Sequence, residues 1–148
     1  MHLKCDEDIK SSKINIYGTI NASNIESETF LSRGSIKIAG MLNSEFIDIA
    51  IMNKSEIGEI GGKNIKIVGG NKGMVIARLR SLFSGEQGML KLNTKSIEGD
   101  EIFLENIRVS DVCGQNVTIG KFCTVDKVTY TSTLNISEGS IVKEVVKL

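Results

Sequence analysis

The chain has 148 residues, of which 41% are hydrophobic and 5% aromatic, with 15 Gly, no Pro and no Trp. This length fits one domain, and the low aromatic content favours a narrow core of Ile, Val and Leu over a sandwich or a helical bundle. The 18 basic and 18 acidic residues cancel. That balance argues against nucleic acid as a partner, because general nucleic-acid binders carry a basic excess.

The first segment, residues 1–12, is polar and charged, and we expect it to be flexible. It contains no apolar signal region, and no stretch of the chain approaches the roughly 20 apolar residues of a membrane span. The three Cys are odd in number and lack metal-ligand spacing, which predicts free thiols in a reducing compartment. We therefore expect a cytoplasmic protein.

From residue 13 onward a short apolar–polar–apolar unit recurs. It occupies residues 13–18, 35–40, 64–69 and 116–120, each ending in Gly, and 133–136 without the Gly. Such alternation is typical of a strand, but each unit is too short to bury itself and becomes stable only when stacked on other copies. This predicts an all-β fold, a single-stranded β-helix (β-solenoid) over residues 13–148. The inward stacks that form its core should contain Ile16, Ile38, Ile49, Ile67, Leu104, Ile119 and Ile136.

Residues 69–88 interrupt the strand pattern. A glycine corner at 69–73 lacks the Gly-Lys-Ser/Thr ending of a phosphate-binding loop, so it indicates a chain reversal rather than a nucleotide site. After it, apolar residues recur at i, i+1, i+4, i+7 and i+8, which predicts a short amphipathic helix. We expect the helix to pack on the solenoid, with a partner or membrane contact as the alternative. Its apolar stripe comprises Val75, Ile76, Leu79, Leu82 and Phe83.

The second half of the chain repeats the first. Residues 56–67 align with residues 108–119 at an offset of 52 without a gap, and every apolar position matches an apolar position. This indicates an internal duplication of solenoid turns.

The sequence contains few residues suited to catalysis. The single His is His2, in the segment expected to be flexible, so a nucleophile paired with an imidazole base is not expected. Carboxylates such as Glu98 and Asp100 alternate toward solvent, and Cys113 and Cys123 lack further metal ligands. We therefore predict a protein that is not an enzyme, with no catalytic residue, cofactor or metal.

The C-terminal stretch, residues 139–148, is apolar to the end of the sequence. A solenoid has an open edge at each end, with unpaired backbone groups over an apolar cross-section, and a monomeric solenoid needs a polar cap. This segment supplies no obvious polar cap, so we predict self-association, as a dimer or a filament, through the last turn. The candidate residues are Ile141, Val142, Val145, Val146 and Leu148.

Residues 96–106 and 112–120 carry a resemblance to a known family. They resemble the bactofilins, the polymer-forming cytoskeletal family, and in particular the bactofilin-like cytoplasmic proteins of Gram-positive bacteria. Residues 40–47, 59–65 and 78–83 are similar to the same branch, and the likeness extends over about residues 14–148. It implies a right-handed, three-faced β-helix that polymerises end to end without a nucleotide. It also implies a scaffolding role in cell shape, polarity or motility, in some members at the membrane, and no catalytic residues.

Two other functions stay open at this point. An adaptor could bind a protein or a membrane surface through the amphipathic segment 74–84. Residues 119–125 also suggest the hexapeptide rhythm of a left-handed β-helix acyltransferase, although the rhythm does not persist and the chain offers no internal His as a base.

Overall fold

A computed structural model describes residues 2–70 and 90–148 and contains no helix in these two ranges. All strand pairs are parallel. The strands, in chain order, are β1 His2–Lys4, β2 Ile9–Ala22, β3 Ile25–Ile51, β4 Ser55–Gly69, β5 Leu90–Asn93, β6 Ser96–Glu105, β7 Ile107–Ile119, β8 Thr124–Ile136 and β9 Ile141–Lys147.

Each strand pairs with the part of the chain that lies one turn later. Ile9 pairs with Ile25, and Ile49 pairs with Ile67. The spacing in sequence differs between these two pairs, because the corners of successive turns differ in length. The chain is therefore a β-solenoid of about seven turns, and the predicted all-β solenoid is confirmed.

The burial pattern of β7 shows how one turn is built. Buried residues come in three pairs, and exposed or half-buried residues separate the pairs at positions 110–111 and 115–116. Each pair marks one straight segment, because alternate residues of a strand point to the same side. We call the faces that these segments form face C (residues 107–110 in β7), face A (112–115) and face B (116–119).

Branched apolar side chains stack in columns inside the solenoid. One column contains Ile49, Ile67, Leu104 and Ile119, and each of these is fully buried. Burying one such side chain contributes about 1.5–3 kcal/mol, and repeating this in each column on every turn gives the narrow core its stability.

Ile38 is buried as predicted, in a second inward column. It pairs with Ala22 and Ile57, whereas Ile16 pairs with Ser32. The step from Ile16 to Ile38 is therefore longer than one turn, which ends at Ser32.

The solenoid begins earlier than residue 13, where the sequence placed its start. Strand β1 pairs with residues 19–21, and the amide of Cys5 donates a 2.8 Å hydrogen bond to the carbonyl of Asn21. Ile9 packs against the core as the first residue of β2. Part of segment 1–12 is therefore paired β-structure.

The predicted insertion leaves the stacking undisturbed. Ile65 pairs directly with Ile102 although they are far apart in sequence, so the turns on either side of residues 71–89 stack on each other. The predicted amphipathic helix and its residues Val75, Ile76, Leu79, Leu82 and Phe83 lie outside the described residues.

The internal duplication has a structural counterpart. Ile67 pairs with Leu104, and Leu104 pairs with Ile119. Ile67 and Ile119, which the sequence alignment matches, thus occupy the same column two turns apart. The alignment of 56–67 with 108–119 agrees with the register of the strands for the residues from position 59 onward.

Candidate self-association surface

Strand β9 forms the last turn of the solenoid. It pairs with β8 through contacts such as Thr124 with Ile141 and Val128 with Val145. No strand in the described ranges pairs with its other edge. The end of β8 also lies at this surface, because residues 133–136 pair with β7 and β9 stops before reaching them. This end of the solenoid therefore exposes both strand edge and column ends.

Four side chains at this end continue the inward columns, and we call them the C-terminal end face. Each lies one turn beyond a side chain that is at most 1% exposed, namely Val117, Ile119, Val125 or Val128. Ile136 itself is 44% exposed and Val145 is 48% exposed, while two further members pack partly against the core. The C-terminal end face consists of Leu134, Ile136, Val142 and Val145.

The five predicted contact residues all lie on or directly after β9 but divide into three groups. Val142 and Val145 belong to the C-terminal end face. Ile141 and Val146 pair with Thr124 and Thr129, whose columns are not buried, so they lie on the sides of the last turn. Leu148 is 73% exposed, and its amide donates to the carbonyl of Tyr130.

Sequence reasoning missed Leu134 and Ile136 as surface residues. Ile136 was assigned to the core, and its column position is indeed inward, directly after Ile119. The available signal was that 133–136 is the last copy of the repeated unit, so nothing in the pattern supplied a residue to cover it.

The charged side chains of β9 bind back onto the preceding turn. The Lys143 Nζ lies 2.9 Å from a carboxylate oxygen of Asp126, and Glu144 pairs with Lys127 at 4.0 Å. The hydrogen bond from Lys143 lowers the pKa of the Asp126 carboxyl. Because these charges are neutralised within the molecule, the C-terminal end face can approach an apolar partner without leaving them unpaired.

The opposite end of the solenoid differs. Ile14 and Ile16, in the first turn, are only 7% and 5% exposed. Leu3 pairs with Ile20 and so continues an inward column, where it is 36% exposed, whereas Tyr17 alternates with Ile16 and points outward. The apolar cross-section is more accessible at the C-terminal end, where Ile136 and Val145 are 44% and 48% exposed.

Sites of other kinds are weakly represented in the described part of the chain. No group of three or more His, Cys, Asp or Glu is arranged to hold a metal there. Cys5, Cys113 and Cys123 form no disulfide with one another. Two shallow grooves of about 490 and 330 Å³ run along the sides of the solenoid. Within the same residues, no helix has the length and apolarity to cross a bilayer.

The chain is similar to one curated protein, the uncharacterized protein YhbF of Bacillus subtilis (strain 168). The identity is 34% over 110 residues, which cover 74% of this chain and 42% of that protein. The chain thus spans less than half the length of this relative. No protein-family profile matches the chain, and no solved structure matches it.

Proposed function

We propose that this protein is a non-enzymatic structural protein of bactofilin type that self-associates through its C-terminal end face. One observation carries the proposal: the inward columns end in side chains as exposed as Ile136 and Val145. The unpaired edge of β9 supports it, because exposed strand edges are templates for pairing with another chain.

The partner that fits this surface best is a second copy that presents its own C-terminal end face. Contact between two C-terminal end faces is isologous and closes as a dimer. Burying each apolar side chain contributes about 1.5–3 kcal/mol, whereas association costs about 4–15 kcal/mol. Four side chains and one strand edge therefore support a dimer of modest affinity that forms as concentration rises.

A filament needs a second contact, between the N-terminal ends of two such dimers. The resemblance to bactofilins favours this extension, and it is the basis for a scaffolding role in cell shape, polarity or motility in the cytoplasm. The parallel β-solenoid fold is compatible with that role. We also propose a right-handed winding, which the resemblance implies and which parallel crossover connections favour.

Sedimentation of charged variants tests the proposal. Val145→Lys and Ile136→Lys each place an ammonium group in the C-terminal end face, and desolvating it should abolish the concentration-dependent dimer. Phe46→Lys is the matched control, because Phe46 is a 51% exposed apolar residue on face B, away from both ends. Unchanged association of both end-face variants would refute the proposed contact.

An adaptor role is the second candidate. It is favoured by the direct pairing of β4 with β6, which needs no residue between Gly70 and Leu90. In that case Leu79→Asp with Phe83→Asp abolishes binding to a protein or membrane partner and leaves self-association unchanged.

A further inference from the structure

The balanced net charge of this chain conceals a separation of charge between two faces of the solenoid. Face A is predominantly acidic. Its register is fixed by the pairing of Lys10 with Glu26 and of Gly61 with Glu98. Outward positions of face A hold Glu26, Glu28, Glu45, Glu98 and Asp100, against the cations Lys10 and Lys63. A third cation, Lys147, lies on the last turn of this face, over the ring of Tyr130.

Face C is predominantly basic. Lys37 pairs in register with Glu56, and Arg108 pairs with Thr124 one turn further on. Lys95 lies on the same face, and its amide donates to the carbonyl of Gly58. Outward positions of face C hold Lys37, Lys54, Lys95, Arg108 and Lys143, against the two acids Glu56 and Asp126.

Ion pairs inside the molecule remove only part of each charge. On face A, Lys10 pairs with Glu26 at 3.3 Å and Lys63 pairs with Glu45 at 3.2 Å. The exposed acids that form no ion pair with a described residue are Glu28, Glu98 and Asp100. The corner between faces A and C adds the acids Glu59 and Asp111. Lys127 lies one turn beyond Asp111 at the same corner and pairs with Glu144.

On face C, the ion pairs leave some of the cations without a partner of opposite charge. Lys54 pairs with Glu56 at 3.8 Å and Lys143 pairs with Asp126 at 2.9 Å. The exposed cations without an ion pair to a described residue are Lys37, Lys95 and Arg108. Face B lacks such a bias, because Lys13, Arg33 and Lys66 are matched by Asp48, Glu101 and Glu105.

The unpaired cations of face C and the unpaired acids of face A extend over the same distance along the solenoid axis. Lys37 and Arg108 are three turns apart, as are Glu28 and Asp100. At a strand spacing of about 4.8 Å, three turns span about 14 Å along the axis. A second solenoid lying alongside the first can therefore bring both ends of one set opposite the other.

We propose that the solenoid associates side by side, with face A of one copy against face C of the next. The chemistry that selects the second copy is this charge complementarity. Because faces A and C differ, the contact is heterologous and passes from copy to copy. It is independent of the C-terminal end face and would bundle solenoids laterally whether or not they also join end to end.

Single exposed ion pairs are weak, so the lateral contact gains strength from several pairs along the axis. It should also be sensitive to salt, since the screening length falls from about 30 Å at 0.01 M to about 3 Å at 1 M. The apolar end contact lacks that sensitivity. Salt therefore separates the two contacts experimentally.

Light scattering and sedimentation in a Val145→Lys background test the lateral contact alone. We expect association at about 20 mM salt that weakens about tenfold at 0.5 M. Lys37→Glu with Arg108→Glu, or Glu28→Lys with Glu98→Lys, should abolish it. The face B pair Lys13→Glu with Lys66→Glu is the matched control for added negative charge and should retain association.

Mixing the two charge-reversed variants is the decisive experiment. One variant carries acidic charge on both faces and the other carries basic charge on both, so the mixture should associate although neither does alone. Failure of the mixture, or unchanged association of the single variants, overturns the proposal. If the Lys37→Glu, Arg108→Glu variant loses only its binding to anionic phospholipid vesicles, face C serves a lipid surface and the proposal is likewise overturned.

Discussion

Ile16 and Ile136 lie at opposite ends of one inward-facing column, yet they differ in exposure from 5% to 44%. The column runs from Ile16 through Ser32 to Ile49 and then, by successive pairs, to Ile119 and Ile136. The same residue type at the same inward position is thus covered at one end and accessible at the other. This asymmetry is the reason that we assign self-association to the C-terminal end first.

Ser32 is a polar member of that column. It is fully buried, and its Oγ has no hydrogen-bond partner among the described residues. A buried hydroxyl without a partner costs about 1–3 kcal/mol, so Ser32→Ala should raise the free energy of unfolding by about 1 kcal/mol. Urea denaturation measures this, and a loss of stability would show that the hydroxyl is satisfied.

Truncations along the column should differ by position. Ile49 is completely buried, and Ile49→Ala should cost about 2–5 kcal/mol through lost transfer energy and a residual cavity. Ile136→Ala should cost less than half as much at monomer-forming concentrations, because nearly half of that side chain already meets water. Equal costs in urea titrations would mean that Ile136 is covered in the monomer.

Adjacent glycines on face A should respond differently to the same substitution. A Cβ on Gly62 would lie 2.2 Å from the carbonyl oxygen of Ser44, whereas a Cβ on Gly61 would meet the flexible end of Met41 at 3.1 Å. Gly62→Ala should therefore destabilise the fold by about 1–3 kcal/mol, and Gly61→Ala by much less. Thermal unfolding measures the difference, and equal melting temperatures of the two variants would contradict this prediction.

Acid should loosen β9 from β8. The hydrogen bond from Lys143 lowers the pKa of Asp126 in the folded state, so the stability it contributes is present above the pKa of the unfolded chain. That stability is lost as pH falls below about 4. The protection factors of the Ile141 and Leu148 amides, which donate to the carbonyls of Cys123 and Tyr130, should fall there, and Asp126→Asn should remove the dependence. An identical pH response in the Asn variant would assign the effect to another group.

Segment 71–89 should be dispensable for the fold. Asn106 stacks on Gly69, because its side-chain amide donates to that carbonyl, and Ile107 pairs with Leu90. In the next turn, the adjacent residues Asn106 and Ile107 therefore occupy the positions that Gly69 and Leu90 occupy in this turn. Deleting residues 71–89, so that Gly70 precedes Leu90, should preserve cooperative unfolding. Collapse of this variant would show that the solenoid needs the segment, and intact folding with lost partner binding would favour the adaptor role.

The sequence predicted the architecture because apolar alternation and short units leave stacking as the means of burial. It did not reveal which column holds Ile38, because corners of different length make turns of unequal length and only the register shows which spacing is one turn. It assigned Ile136 to the core because alternation predicts where a side chain points but not what lies beyond it. The opposed charges of faces A and C cancel along the chain and become visible only after the turns are aligned.

Small-angle X-ray scattering across a concentration series at 0.5 M salt distinguishes a dimer joined at its C-terminal end faces from a monomer. Seven turns give a rod of about 34 Å, and the high salt suppresses lateral contacts. We expect the rod length to about double with concentration while its cross-section stays constant, and Val145→Lys to prevent the change. A length independent of concentration, or doubling that persists in the Val145→Lys variant, would refute association through the C-terminal end face.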